Sequence, residues 1–143
     1  MHITPATEID KPKMRTFFDK IGVSHQVLSQ PDIQFLTVKD QELELAAVLG
    51  VLNKDETSIL RHLIIDSNRC DLASILEILQ HAVAFAASQK AKRIVFLSPA
   101  PAELFGPLGF TEIEREGLEV DVQHALPTTG SLPPATKLLA KHL

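Results

Sequence analysis

The sequence predicts an α+β fold: a mixed sheet in which an antiparallel meander is followed by one βαβ unit, with helices on both faces. Three observations carry this expectation. Three apolar segments joined by short turn-like stretches follow one another between Ile33 and Asp66. A long helical pattern, Leu72 to Gln89, then leads to a further apolar segment, Ile94 to Leu97. A helix between two strands is a crossover, so those strands are expected to be parallel neighbours with a right-handed connection. Finally, 143 residues with 45% apolar and 22% charged content suit one globular domain, 1–143, with its own core.

Taken in order, the chain opens with a short extended piece around His2 and Ile3, broken at Pro5. Asp10 is placed to cap a helix that tolerates Pro12 in its first turn and stops near Ile21, before Gly22. Met14, Phe17, Phe18 and Ile21 recur at i, i+3, i+4 and i+7, which marks the buried stripe. Ile33–Val38 reads as a strand, Lys39-Asp40-Gln41 as a turn, and Leu43–Leu52 as a second strand. Gly50 within it suggests a bulge or a close backbone approach. Residues 53–57 form the next hairpin loop, and residues 59–66 form the third strand, apolar on consecutive residues from Leu63 to Ile65 as in a strand covered on both faces.

Asp71 is positioned to cap the long helix, whose stripe is Leu72, Ile75, Leu76, Leu79, Val83 and Ala86, with Ile78 and Phe85 off it on a second buried or partner-facing edge. Ile94–Leu97 is a strand, residues 98–101 a loop, Ala102–Leu108 a short helix closed by Gly109, and Phe110–Ile113 a strand. The tail, residues 132–143, reads as a last helical turn or two opened by Pro133 and Pro134.

Charge and cysteine content narrow the function classes. Lys plus Arg number 14 against 18 for Asp plus Glu, a formal charge of −4 with no basic block. Nucleic acid and anionic lipid surfaces draw affinity from clustered cations, so neither is expected as a partner. One cysteine cannot form an internal disulfide, and the first residues show no secretory pattern, so the expected compartment is the cytoplasm. The most apolar run, residues 72–88, is interrupted by Glu77, Gln80 and His81, so no membrane span is expected. Six scattered histidines and a lone Cys70 show no ligand spacing, so no metal site is expected.

The order of elements, with ITPATEID at 3–10, ILRHLIID at 59–66 and ELFGPLGF at 103–110, resembles the GNAT superfamily of acetyl-CoA-dependent N-acetyltransferases. Within it, ILRHLII, IVFLSPAPAELFGPLGF and LPPATKLLAKHL resemble the small arsenic-resistance N-acetyltransferases. The resemblance implies a cytoplasmic, homodimeric, acetyl-CoA-dependent enzyme that acetylates a small-molecule amine. It implies that the fourth and fifth strands splay, so that the pantetheine arm adds to Leu63, Ile64 and Ile65 as an extra strand would. The acyl group would face the strand Ile94–Leu97. The diphosphate would sit on amides between Cys70 and Ser74, where the helix dipole favours an anion.

The loop departs from the family's small-residue pattern. It reads Arg69-Cys70-Asp71-Leu72-Ala73-Ser74, of which Arg69, Ala73 and Ser74 are compatible with the family. Asp71 sets a carboxylate beside the diphosphate, and as a cap it accepts from the same orphan amides. Phe105 stands where many members carry the Tyr that protonates the departing thiolate, and this chain has no Tyr. For a general base, His62 is the candidate, its imidazole suited to neutral pH. By strand alternation His62, Ile64 and Asp66 share one face, and Leu63 and Ile65 the other. Arg61 is the candidate for a substrate carboxylate. These departures keep a second expectation open: a noncatalytic module of the same shape that has lost acetyl-CoA binding.

Overall fold

The computed structural model describes residues 1–98, 102–126 and 136–143. In chain order the elements are β1 (His2–Pro5), α1 (Lys11–Ile21), β2 (Ile33–Lys39), β3 (Leu45–Lys54), β4 (Thr57–Ile65), α2 (Leu72–Ser88), β5 (Arg93–Ser98), β6 (Thr111–Glu112), α3 (Val120–Ala125) and β7 (Lys137–His142). Among the described residues the strands form a seven-stranded sheet in the order β1-β2-β3-β4-β5-β7-β6. The predicted α+β class, the antiparallel meander and the parallel β4–β5 pair are all present. No described helix is long and apolar enough to cross a membrane.

The chain divides into two compact units, 1–51 with 62–79, and 52–61 with 80–143. In the first, α1 buries the stripe read from the sequence. Met14, Phe17 and Phe18 are buried against Val48, and Ile21, Phe35 and Ile64 pack around them. Burying side chains of this size stabilises the fold by about 1.5–3 kcal/mol each. The helix ends at Gly22, whose φ of 88° lets its amide reach the Phe18 carbonyl at 2.8 Å. Asp10 stands at the N-cap position of α1, as expected, but its side chain makes no capping bond to that helix. It closes a 3-10 turn, Glu8–Asp10, that runs into α1, and its carboxylate turns back to accept from the Thr7 amide at 2.8 Å. β1 pairs antiparallel with β2, His2 opposite Lys39 and Pro5 opposite Leu36.

In the second unit, Ile59, Val95, Leu118, Val122 and Leu126 form one buried cluster with Leu138 and Ala140. The β3–β4 turn is only Asp55-Glu56, both at positive φ (49° and 65°), as a tight hairpin matching strand twist requires. Two sequence expectations fail here. The last six residues before Leu143 are not helical: Lys137–His142 is a strand paired antiparallel with β5 from Arg93–His142 to Ser98–Lys137. Leu, Ala and Lys favour helices locally, but the open edge of β5 supplies hydrogen bonds and burial that outweigh propensity. Ala102–Leu108 is two 3-10 turns rather than one helix, because Gly106 and Pro107 interrupt it. The short helix α3 had no counterpart in the sequence reading. The loop at 99–101 and the Pro133-Pro134 opening lie outside the described residues.

The buried face of α2 takes in both the stripe and the second edge, and departs from expectation at Leu72. Ile78, Leu79, Ala82 and Ala86 are fully buried, whereas Leu72 is 49% exposed. Ile78, expected on a second edge beside the stripe, is indeed buried there.

Candidate functional site

Strand β4 changes character half-way along. Thr57–Leu60 are buried, and they are the residues that pair in parallel with Arg93–Phe96. Arg61–Ile65 lie beyond that ladder and are half-buried on consecutive residues. On its other side β4 stays attached to β3 to the end, since the Asp66 amide donates to the Ala46 carbonyl at 2.9 Å. The apolar residues Leu63–Ile65 keep residual exposure, which suits a platform for an added extended chain.

Ile64 enters the cluster under α1, and the His62 ring lies over Gly50, where an added Cβ would sit 3.4 Å from His62 Cδ2 and 3.1 Å from Ile33 Cγ2. Gly50 therefore marks the close approach read from the sequence.

After Ile65 the chain is fixed by a row of charges. Asp66 is buried and accepts from Lys20 Nζ at 2.9 Å and the Asn68 amide at 3.0 Å, and Arg69 Nε is 3.6 Å away. The Lys20 contact and the Asn68 amide hold the Asp66 carboxyl below the usual carboxylate range. Its carbonyl accepts the amides of Arg69 and Cys70 at 2.9 and 3.1 Å. Arg69 Nη1 donates to Asp40, and this contact raises the Arg69 pKa. Sequence reasoning missed this row because two of its pairs, Lys20–Asp66 and Arg69–Asp40, join residues 46 and 29 positions apart, and only Asp66 at a strand end was visible locally.

Asp71 caps α2. Its carboxylate accepts from the Ser74 amide at 2.8 Å and the Ser74 hydroxyl at 2.9 Å, which depresses its pKa. Its carbonyl accepts the Ile75 amide at 3.1 Å. The helix-start amides of Leu72 and Ala73, on exposed residues, point along the dipole and have no carbonyl one turn earlier within the helix. Cys70 is buried, its thiol directed at the Ala46 carbonyl at 3.5 Å, and burial followed by the charges of Asp66, Asp71 and Asp40 pushes its pKa up. It is not a poised nucleophile.

Two candidate residues belong to the second unit. Arg61 donates through Nη1 to the Ala125 carbonyl at the end of α3, where a cation complements the dipole. Phe105 is buried and packs edge-on against Phe96 with centroids 5.3 Å apart, and Phe110 does the same at 5.1 Å. The remaining candidates, His62, Leu63, Ile64, Ile65 and Arg69 to Ser74, are together in the first unit.

The chain has the fold of the GNAT-family acetyltransferases. It superposes on a Mycobacterium tuberculosis protein crystallised with CoA at a TM-score of 0.74, with 16% identity over 100% of this chain and 99% of that one. A GNAT-family acetyltransferase from Elizabethkingia anophelis with acetyl-CoA bound gives 0.71, with 14% identity over 99% and 97%. One from Staphylococcus aureus Mu50 gives 0.68, with 14% identity over 99% and 98%. No protein-family model matches the sequence, and no curated protein matches it.

Acetyl-CoA can be tested against these residues. The half-buried edge Leu63–Ile65 suits a pantetheine arm, and the Leu72 and Ala73 amides suit a phosphate. The Ser74 amide is already taken by Asp71, whose charge opposes the same phosphate. The residues fit the group, with one of the three helix-start amides and the local charge set against it.

Proposed function

We propose that this protein is an acyl-CoA-dependent N-acetyltransferase that acts on a small-molecule amine. The observation that carries the reading is the change in β4 at Leu60, where the parallel ladder and full burial end together. In an ordinary central strand both would continue. Acetyl-CoA, when bound, supplies an activated thioester. The backbone of Leu63–Ile65 would hold its extended arm, and the amides of Leu72 and Ala73 would take the diphosphate. An amide of Ile64 or Ile65 would polarise the acyl carbonyl. His62 would accept the proton of the acceptor ammonium. Phe105 donates no proton, so in this reading the thiolate takes its proton from the acceptor or from water.

The capped loop favours a second reading, a noncatalytic module of this fold, because Asp71 satisfies part of the anion site by itself. Thermal unfolding with acetyl-CoA separates the two. Cofactor at a hundred times its dissociation constant adds about 2.7 kcal/mol, a rise of roughly 5–10 °C for a chain of this size. Acetylated product from a panel of primary amines, detected by mass spectrometry, supports the enzyme. No shift at millimolar acetyl-CoA and no product overturns it. Replacing His62 with Phe should preserve the thermal shift and flatten the pH dependence of turnover, and an unchanged profile would remove His62 as the base.

A further inference from the structure

We propose that a cavity of about 280 Å³ between α1 and the β2–β3 hairpin binds a zwitterionic amino acid with an apolar side chain. It is lined by Lys13, Thr16, Phe17 and Lys20 of α1, by Leu43, Glu44 and Leu45 of the hairpin, and by Arg69. The wall from α1 follows from helix geometry. Positions 13, 16, 17 and 20 share one side, adjoining the stripe of Met14, Phe17 and Phe18 that is buried in the core.

The charges decide the ligand class. Lys20 is answered by Asp66, and Arg69 by Asp40 and Asp66. Among the described residues, Lys13 and Glu44 have no ion-pair partner. The cavity thus offers a helix cation, Lys13, and a hairpin anion, Glu44, neither held in an ion pair among the described residues, although the Glu44 charge also acts on Arg69. A simple anion would meet as much negative as positive charge once Asp40 and Asp66 are counted. A molecule carrying both an ammonium and a carboxylate answers Glu44 and Lys13 together. Phe17, Leu43 and Leu45 supply the apolar contact for its side chain.

Size and strain agree with this. The volume lies just below the range of about 300–1,000 Å³ typical of pockets for drug-sized ligands, so the cavity suits an amino acid and is too small for a nucleotide cofactor. Leu43 is 63% exposed and held at φ 63°, a conformation that a bulky side chain adopts at a cost. The Asp40 side chain fixes it there by accepting the Glu42 and Glu44 amides at 2.9 and 3.1 Å, which leaves Leu43 and Glu44 at the rim.

The test uses L-phenylalanine as probe, followed by amide chemical shifts, with 3-phenylpropanoate and 2-phenylethylamine as arms lacking the ammonium or the carboxylate. Saturable shifts confined to residues around 13–20, 43–45 and 69, seen with L-phenylalanine and lost with both analogues, support the site. Lys13→Gln and Glu44→Gln, both on exposed side chains, should each weaken binding about tenfold, the share of one charge-assisted hydrogen bond. Equal binding of 3-phenylpropanoate, shifts centred on His62 rather than α1, or affinity unchanged in both variants overturns the proposal. The readout needs neither acetyl-CoA nor turnover, so it stands or falls separately from the transferase reading.

Discussion

Replacing Asp71 with Asn separates charge from capping at the start of α2. The native carboxylate holds the Ser74 amide at 2.8 Å and its hydroxyl at 2.9 Å. The Asn side-chain oxygen accepts the same amide, and Asn and Asp are equivalent caps, so the unfolding temperature should barely move. A phosphate on the Leu72 or Ala73 amide lies within about 4 Å of that side chain, where two unit charges in a water-like dielectric repel by an amount worth roughly fivefold in affinity. Two phosphate charges raise the expected gain to about 5–30-fold. Because the interaction is exposed, it is screened over about 10 Å at 0.1 M salt and about 3 Å at 1 M. Titration calorimetry with CoA should therefore show Asp71→Asn binding more tightly at low salt and converging on the native protein at high salt. Asp71→Gly should bind at least as tightly but unfold at lower temperature, since it frees the Ser74 amide and loses the cap. Equal affinities at low salt, or a ratio independent of salt, would refute the placement of the diphosphate on this loop.

The other expectations are structural. Phe18→Ala empties the centre of the α1 cluster and should cost about 3–5 kcal/mol by denaturant unfolding, and a loss under about 1 kcal/mol would mean that α1 is not packed as described. Asp66 has a depressed pKa, so its contribution is present above the ordinary value of 3.8 and is lost as pH falls through the lower folded value. Asp66→Asn should accordingly lower stability at neutral pH and flatten the acid limb, and an unchanged acid limb would contradict its pairing with Lys20. Cys70 should resist thiol reagents at pH 8 until the protein unfolds, since its thiol is buried and its pKa raised. Rapid labelling of the native state would show that the loop opens.

Which parts of the fold were legible depended on how local their causes are. The α1 stripe, the Gly22 stop, the Asp71 cap and the close approach at Gly50 each rest on neighbours a few residues apart, or on a residue type that only one conformation tolerates. β7 was misread because 137–142 carries helix-forming residues whose strand conformation exists only against β5, some 44 positions away. The face of α2 was legible only in part, for a related reason. Its sequence is apolar nearly all round, so periodicity could not choose between Leu72 and Ile78.

The candidate site divides in the same way. Residue chemistry alone set out a histidine on the fourth strand, an apolar edge after it, a capped helix start and the absence of any tyrosine. Tertiary structure decided where the ladder to β5 ends, that Arg61 serves the end of α3, and that Arg69 is bound by Asp40 and Asp66. Capping and side-chain alternation are fixed by bonds within a turn or two of chain. Ion pairs and strand register join segments distant in sequence, and their partners are chosen only when the whole chain has packed.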